Sequence, residues 1–319
     1  MKIIKNIFCL CLLLVPLVQA KQLSFTKRAS DDKYLFNYHW LDHDKRQQTM
    51  SFSLTKQALF ERFRMLKVYK GDFAQKAIMR EVKKQLTAQP PHGSQAFFLQ
   101  RDGRMVIQVK GQKEENVALA YQKIKELEQA ATTQYFKENY FQAFITPDQQ
   151  SGVKVDHINI ARDSVDDFKA LKPIILDKVS VENIRKVTNY VLAFVQSIPY
   201  STLESRITSS GAGFNSPAKL LWENQGDCDS KMTLTATILR ALMPRISMVM
   251  VYIDKHAFMG IAIPALAGEM TIEHQGVSYV LAEPTGPALY RLGELAPESE
   301  LAINQGRYVA EAFHGNDTN

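Results

Sequence analysis

Cysteine is rare in this chain, with three among 319 residues. A fold held together by many disulfides is therefore excluded, because disulfide scaffolds are rich in cysteine. Cys9 and Cys11 lie within the first twenty residues, which leaves Cys228 as the one thiol beyond them. In an exported protein such a thiol indicates a reactive group, whereas a lone buried cysteine often serves only as a small apolar side chain.

The sequence also lacks an apolar run long enough to span a membrane. Residues 7–18 are apolar but fall short of the about 20 residues that a membrane helix needs. They follow two lysines and end at the small-residue pattern Val18-Gln19-Ala20. This layout is typical of a secretory signal peptide over residues 1–20, cut before Lys21. We therefore predict a periplasmic or secreted protein with no stable membrane anchor after signal cleavage.

Dense clusters of one charge are absent as well. The chain has 39 Lys and Arg against 33 Asp and Glu, a formal net charge of +6. A scattered basic excess of this size fits solubility and a weak attraction to anionic surfaces. Nucleic-acid binding usually requires a stripe of Lys and Arg interleaved with aromatic residues, and we find none. The sequence therefore predicts no nucleic-acid partner.

The hydrophobic pattern predicts an α+β protein in two parts. We interpret residues 21–150 as a small α+β N-terminal domain of unknown role, without a catalytic motif. Its predicted elements are two strands over residues 34–54 around a turn at 42–45, helices at 57–66 and 72–86, a hairpin with strands at 97–99 and 105–107, and a long charged helix over residues 114–140. Residues 147–152 are rich in turn-forming types and are predicted to be a linker.

Residues 151–319 are predicted to form the second part, with helices packed on an antiparallel sheet. The predicted elements are a strand at 153–160, helices at 165–171 and 181–196, a Ser- and Gly-rich loop at 201–217, a buried helix after Cys228, and strands at 246–253, 256–263, 270–273 and 277–283. Because these four strands follow one another closely, we expect a simple antiparallel meander.

The motif with the clearest chemical meaning is Asn-Gln-Gly-Asp-Cys-Asp-Ser-Lys at residues 224–231. Asp227 is a good N-cap for the apolar helix that follows, so Cys228 is expected in its first turn. The positive end of the helix dipole favours a thiolate there, and the backbone N–H of Cys228 would be free to stabilise an oxyanion. Asp227 and Asp229 oppose the thiolate, so a cationic partner is required.

His256 is the candidate partner, since it begins a predicted strand after the turn at Asp254. Glu283 ends the last predicted strand, just before a proline. A nucleophile at a helix start, a base on one strand and an acid on a later strand match the logic of a catalytic triad. Asp254 is the alternative acid. Without Cys228 as a partner, His256 and Glu283 would each more often be structural residues.

These motifs resemble a known family. Gly226-Asp227-Cys228, His256-Ala257 and Glu283-Pro284-Thr285, with Val-Gln-Ser-Ile-Pro-Tyr at residues 195–200, are similar to the transglutaminase-like superfamily, in particular its bacterial cysteine peptidases. The resemblance covers residues 153–287. It implies a papain-like α+β catalytic domain in the second part of the chain, with Cys228 as nucleophile, His256 as base and Glu283 as orienting acid.

The chain departs from the family pattern at three positions. The acid of the family is usually Asp, whereas this chain has Glu283, and Phe258 stands where a Trp often follows His-Ala. Some exported relatives bind calcium through acids that flank the cysteine. Asp227 and Asp229 match that pattern, but Ser230 replaces a further acid. The resemblance therefore implies no required cofactor, with calcium at these two aspartates as the weaker alternative.

The sequence thus predicts an exported cysteine hydrolase that cleaves a peptide or amide bond through a thioester intermediate. One alternative is a true transglutaminase, in which an amine replaces water. Another is an inactive transglutaminase-like fold that binds a protein or peptide. Trp222, Asn224 and Gln225 are candidates either for an oxyanion hole or for core and loop roles, and His274 is expected to be exposed in a turn.

Overall fold

The computed structural model describes residues 20–101, 104–180, 182–205 and 213–315. The strands are β1 (Lys21–Ser30), β2 (Lys33–Leu41), β3 (Gln47–Thr55), β4 (Ser94–Arg101), β5 (Arg104–Gly111), β6 (Phe141–Ile145), β7 (Ser151–Val155), β8 (Met248–Ile253), β9 (His256–Ile261), β10 (Thr271–His274), β11 (Val277–Ala282) and β12 (Val309–Phe313). The α-helices are α1 (Gly71–Ala88), α2 (Glu114–Asn139), α3 (His157–Phe168), α4 (Leu171–Lys178), α5 (Ile184–Ser197), α6 (Pro217–Glu223), α7 (Cys228–Leu242) and α8 (Pro297–Asn304).

The predicted α+β class is confirmed, because these helices accompany sheets in which neighbouring strands run antiparallel. The predicted signal peptide lies outside the described residues except for its last position. The tip of the predicted hairpin at residues 102–103 and part of the predicted loop, residues 206–212, also lie outside them. Among the described helices, none combines the length and apolarity needed to cross a membrane.

The first sheet has the order β1-β2-β3 and buries one face. Phe36, Tyr38 and Trp40 alternate along β2 and are at most 2% exposed. They pack on α5, where the Trp40 and Tyr190 rings are 5.6 Å apart. The predicted strands around residues 42–45 are therefore confirmed. The sequence did not predict β1, because this edge strand is largely exposed and lacks regular apolar alternation.

The helices and hairpin predicted between residues 71 and 140 are present as α1, β4, β5 and α2. They share a small core of their own, made by Val82, Leu86, Val109, Ala120, Ile124 and Ala131. The helix predicted at residues 57–66 is wrong in length, because only a π-helical turn at Gln57–Glu61 forms there.

Of the predicted linker at residues 147–152, residues 147–150 lie in the turn between β6 and β7, and Ser151 and Gly152 begin β7. These strands pair antiparallel, and the Thr146 N–H donates to the Gln150 carbonyl at 2.9 Å. The predicted strand at 153–160 is correct only at its start, because α3 begins at His157. The division of the chain at residue 150 stays a prediction. The largest hydrophobic core contains residues from both sides of it.

The second sheet has the order β10-β11-β9-β8-β12, so the expected simple meander is wrong. β11 returns to pair with β9 and leaves β10 at the edge, while β12 arrives from the C-terminus to pair with β8. α7 packs against this sheet, and its residues from Ser230 to Leu242 are all buried, as the apolar pattern predicts. The pairing of β11 with β9 places the residue after β11 near the start of β9.

Candidate active site

Cys228 begins α7 at a tightly defined turn. The Asp227 carboxylate accepts the Ser230 N–H at 2.9 Å, which makes Asp227 the predicted N-cap. Gly226 precedes it at a close approach, since an added Cβ would lie 2.6 Å from Leu220 Cδ1. The Gly226 N–H donates to the Pro199 carbonyl at 3.2 Å. These contacts hold the half-buried thiol in the first turn of a buried helix.

His256 and Glu283 meet across neighbouring strands. His256 Nε2 lies 2.8 Å from Glu283 Oε1. Glu283 is 1% exposed, and its second oxygen accepts the Ser299 hydroxyl at 3.1 Å. Asp254, the alternative acid, lies exposed in the turn before β9. The longer side chain of Glu283 therefore reaches the imidazole, and α8 supplies a hydrogen bond through Ser299 that the sequence analysis missed.

The pKa of His256 links this pair to Cys228. Burial of the ring lowers the pKa, but hydrogen bonds to Cys228 and Glu283 and attraction to both outweigh it and raise the pKa to about 10. The ring is therefore an imidazolium at neutral pH, in contact with a thiol on one side and a carboxylate on the other. The structure thus brings together Cys228, His256 and Glu283, the three residues that the sequence analysis selected.

A buried glutamine holds the backbone beside the acid. The Gln196 amide nitrogen donates to the Glu283 carbonyl at 2.7 Å and to the Tyr290 carbonyl at 2.8 Å. The Gln196 side-chain oxygen lies 3.2 Å from His43 Nε2, in the turn between β2 and β3. The same ring nitrogen lies 3.0 Å from the Tyr290 carbonyl, so it must carry a proton to serve both oxygens. One network therefore joins the first sheet to Glu283, the residue that follows β11.

A second polar group near Cys228 consists of Asp229, His157 and Thr233, and the sequence analysis missed the last two. Asp229 Oδ1 is 3.9 Å from the Cys228 sulfur, and Asp229 Oδ2 is 3.8 Å from His157 Nε2. The Thr233 hydroxyl donates to the Asp229 carbonyl at 2.7 Å, so it can only accept from His157 Nδ1, 3.3 Å away. This fixes the tautomer and orientation of His157. The sequence pattern had assigned His157 to a strand.

Charges around this group determine the protonation of its members. Burial and the nearby Lys154 charge lower the pKa of His157 well below its ordinary value, so the ring is neutral. Loss of hydration raises the pKa of Asp229, while Lys154 and His256 partly offset that rise. Burial and the charge of Asp229 raise the pKa of Asp227 to about 7.

The two aspartates that flank Cys228 have separate partners. Asp227 caps α7 and Asp229 faces His157, whereas calcium requires six to eight oxygen ligands around one point. In the described part of the chain, no group of three or more His, Cys, Asp and Glu side chains is arranged to hold a metal ion. These contacts do not fit a shared calcium ion, and we derive no chemical step through one.

The other predicted candidates make structural contacts. Asn224 ends α6 in a left-handed conformation with φ of 51° and exchanges two hydrogen bonds with Gln22 of β1. The Trp222 ring lies 3.7 Å from Lys27 Nζ, which also donates to the Trp222 carbonyl. Trp222 and Asn224 therefore attach β1 to the end of α6, where the motif at residues 224–231 begins. His274 is half-buried at the end of the edge strand β10 rather than fully exposed.

Comparison with family models, curated proteins and solved structures found no match for this chain. The resemblance to transglutaminase-like proteins therefore depends on the motifs around Cys228, His256 and Glu283 alone. The contacts among these side chains are an observation independent of those motifs.

A buried lysine in α7 provides a test of the electrostatics of this helix. Lys231 is fully buried, and its ammonium donates to the Ile198 carbonyl. Burial lowers its pKa from 10.5 to about 7, although Asp227 partly counteracts this. Below pH 7 Lys231 is protonated in both the folded and the unfolded chain, so burial of the cation lowers the free energy of unfolding by its full cost. Between pH 7 and 10.5 the folded state is neutral, and stability rises with pH.

We expect Lys231→Met to raise the free energy of unfolding by about 1–3 kcal/mol at pH 6. The gain should shrink towards zero by about pH 10, where the lysine is neutral in the folded wild type. Urea denaturation at several pH values measures this, with the exposed Lys172→Met as the control. A gain that is the same at every pH would contradict the assignment of a buried cation.

Proposed function

We propose that this protein is an exported cysteine hydrolase of transglutaminase-like type, acting on a peptide or amide bond. The observation that carries the proposal is the contact of the His256 ring with both the Cys228 side chain and the buried Glu283 carboxylate. The proposed location outside the cytoplasm rests on the signal-peptide pattern of residues 1–20.

The fold supports the same proposal. α7 carries Cys228 at its first turn and packs on an antiparallel sheet, on which His256 begins one strand and Glu283 follows its neighbour. This is the arrangement that the resemblance implies, so we propose a papain-like catalytic domain. It falls within the predicted second part of the chain, residues 151–319.

The proposed reaction begins with the thiolate of Cys228 attacking the substrate carbonyl carbon. The backbone N–H of Cys228, in a first turn where helix amides lack internal acceptors, is positioned to stabilise the oxyanion. The His256 imidazolium then gives its proton to the leaving nitrogen, the C–N bond breaks, and a thioester and a free amine result. Glu283 fixes the ring in the orientation that this transfer requires.

Water resolves the thioester in the second half of the reaction. The neutral imidazole of His256 takes a proton from water, and the resulting hydroxide attacks the thioester carbon. The C–S bond breaks, the carboxylic acid leaves, and the thiolate and imidazolium are restored. If an amine replaces water, the product is a new amide, which is the reaction of a true transglutaminase.

Trapping the thioester tests the proposal. The purified protein is mixed with a periplasmic extract, quenched in acid and digested, and the peptide that contains Cys228 is analysed by mass spectrometry. We expect an acyl adduct on Cys228 that hydroxylamine removes, and no adduct in Cys228→Ala. Products that end in a new free carboxyl group would indicate hydrolysis, whereas crosslinked products would indicate acyl transfer.

An inactive protein would give a different result in this experiment. If no adduct forms and hydroxylamine yields no hydroxamate product over hours, the chain does not catalyse acyl transfer. Capture of the same extract proteins by wild type and by Cys228→Ala would then favour the inactive binding module.

A further inference from the structure

A cavity of about 360 Å³ opens beside the nucleophile. It reaches Asp229, the residue after Cys228, and His157 beneath it. Its apolar lining comes from both halves of the chain and includes Phe63, Leu66, Tyr69, Phe141, Val153 and Phe214. Cavities of this size that combine apolar walls with a few polar groups are typical ligand sites. The segment before α1 thus forms one wall of a cavity next to the proposed active site.

The position of His256 determines which part of a substrate this cavity can receive. The imidazolium must reach the leaving nitrogen, so the leaving part of the substrate lies on the side of His256. A separate cavity of about 620 Å³ lies on that side, lined by His256 and Glu283. The cavity at Asp229 is not lined by His256, and its Asp229 carboxylate lies 3.9 Å from the Cys228 sulfur, so we assign it to the acyl part of the substrate.

Charge at the cavity favours acidic over basic substrates. Three lysines line it, Lys67, Lys154 and Lys219, against the single carboxylate of Asp229. Lys154 also faces Glu311 at 3.0 Å, and Lys219 lies 3.8 Å from Glu223. A basic side chain drawn to Asp229 would therefore meet three ammonium groups in the cavity lining.

We propose that the cavity at Asp229 is the acyl-side subsite, and that it binds a large apolar side chain, aromatic or long aliphatic, of a peptide with acidic neighbours. This inference rests on the proposed function, because an acyl side exists only if Cys228 attacks a carbonyl. It assigns part of the N-terminal half to substrate selection, through the wall that Phe63, Leu66 and Tyr69 form.

Peptides that end in an electrophile test this assignment. Short peptide chloromethyl ketones are made with Phe, Leu, Gly or Lys at each of the two positions nearest the electrophile, and with acidic or basic flanks. The rate of Cys228 labelling is measured by mass spectrometry at pH 7. We expect Phe or Leu to react about 10- to 200-fold faster than Gly at one position, as an apolar pocket allows.

The predicted preference for acidic neighbours in the peptide is tested by the dependence of the labelling rate on salt. Acidic flanks should outpace basic flanks at low ionic strength, and the difference should shrink at roughly 0.5 M salt, where the Debye length is a few ångströms. A preference for Lys over Phe in the pocket would overturn the proposal, since Asp229 would then select the substrate. Equal rates for all peptides would overturn it as well.

A matched pair of variants locates the effect. Leu66→Glu places a carboxylate in the cavity wall, whereas Met65→Glu places one on the neighbouring residue, which is 65% exposed. We expect Leu66→Glu to lose most of the apolar preference and Met65→Glu to keep it. Iodoacetamide, which is too small to need the cavity, should label Cys228 equally in both.

This reagent also separates the two proposals. Normal iodoacetamide labelling with no peptide selectivity overturns the subsite alone. Slow iodoacetamide labelling in the wild type, at the rate of an ordinary thiol, overturns the proposed function on which the subsite rests.

Discussion

Replacing His256 by Ala is expected to slow the alkylation of Cys228 by iodoacetamide about 10- to 100-fold at pH 6.5. An ordinary thiol has a pKa of about 8.5 and is only about 1% thiolate at that pH. The imidazolium of His256 persists to about pH 10 and stabilises the thiolate across this range. Without it, Asp227 and Asp229 remain next to the sulfur and oppose ionisation. A thiolate in an ion pair is less nucleophilic than a free one, which offsets part of the gain.

The pH dependence makes this prediction specific. The rate difference between wild type and His256→Ala should be largest near pH 6.5 and shrink towards pH 9, where an ordinary thiol ionises without a cationic partner. The matched control is His92→Ala, since His92 is exposed in the turn before β4. Mass spectrometry of the Cys228 peptide gives the rate. Equal rates and equal pH profiles in wild type and His256→Ala would favour the inactive binding module.

Replacing Glu283 by Gln is expected to lower the pKa of His256 from about 10 towards its ordinary value of 6.5. Gln keeps the shape of the side chain and the contact with Ser299 but removes the charge that stabilises the imidazolium. NMR titration of isotopically labelled histidine measures the pKa. Turnover should fall by about 10- to 100-fold, because a smaller fraction of the His256 ring is then protonated at neutral pH.

The same change has a defined effect on stability. Because folding raises the pKa of His256, the ion pair stabilises the folded protein fully below pH 6.5, and this contribution is lost as the pH rises through about 10. The difference in free energy of unfolding between wild type and Glu283→Gln should therefore be largest near pH 6 and shrink towards pH 10. A difference that grows with pH would contradict the ion pair.

Two further variants separate charge from reach at this position. Glu283→Asp restores the charge but is one methylene shorter, and the carboxylate cannot then contact both His256 and Ser299 as it does at 2.8 and 3.1 Å. We expect it to rescue little of the activity. Ser299→Ala should have a milder effect than either change at Glu283, because the imidazole keeps its carboxylate.

The sequence predicted the residues of the candidate site better than the way the fold brings them together. Asp227, Cys228 and the apolar helix that follows form a local pattern, because a cap and a helix face are set by near neighbours. His256 and Glu283 were selected by order and resemblance. Their contact depends on β11 returning to β9, which no local pattern encodes because strand order is set by packing.

The residues that sequence reasoning missed are those whose partners are distant in the chain. Ser299 has no motif of its own and matters only because α8 packs beside Glu283. His157 contacts Asp229 and Thr233, some 70 residues further along the chain, so its spacing carries no signal. The strand β1 was missed for a different reason, since its exposed sequence has no apolar periodicity.

The network at Gln196 couples the stability of the first sheet to the geometry of the proposed triad. The Gln196 amide donates to the carbonyls of Glu283 and Tyr290, and its oxygen accepts from His43 in the turn between β2 and β3. When β2 and β3 detach on heating, Gln196 loses a partner and its hold on the acid loosens. We therefore expect activity to be lost at the temperature at which the first sheet melts.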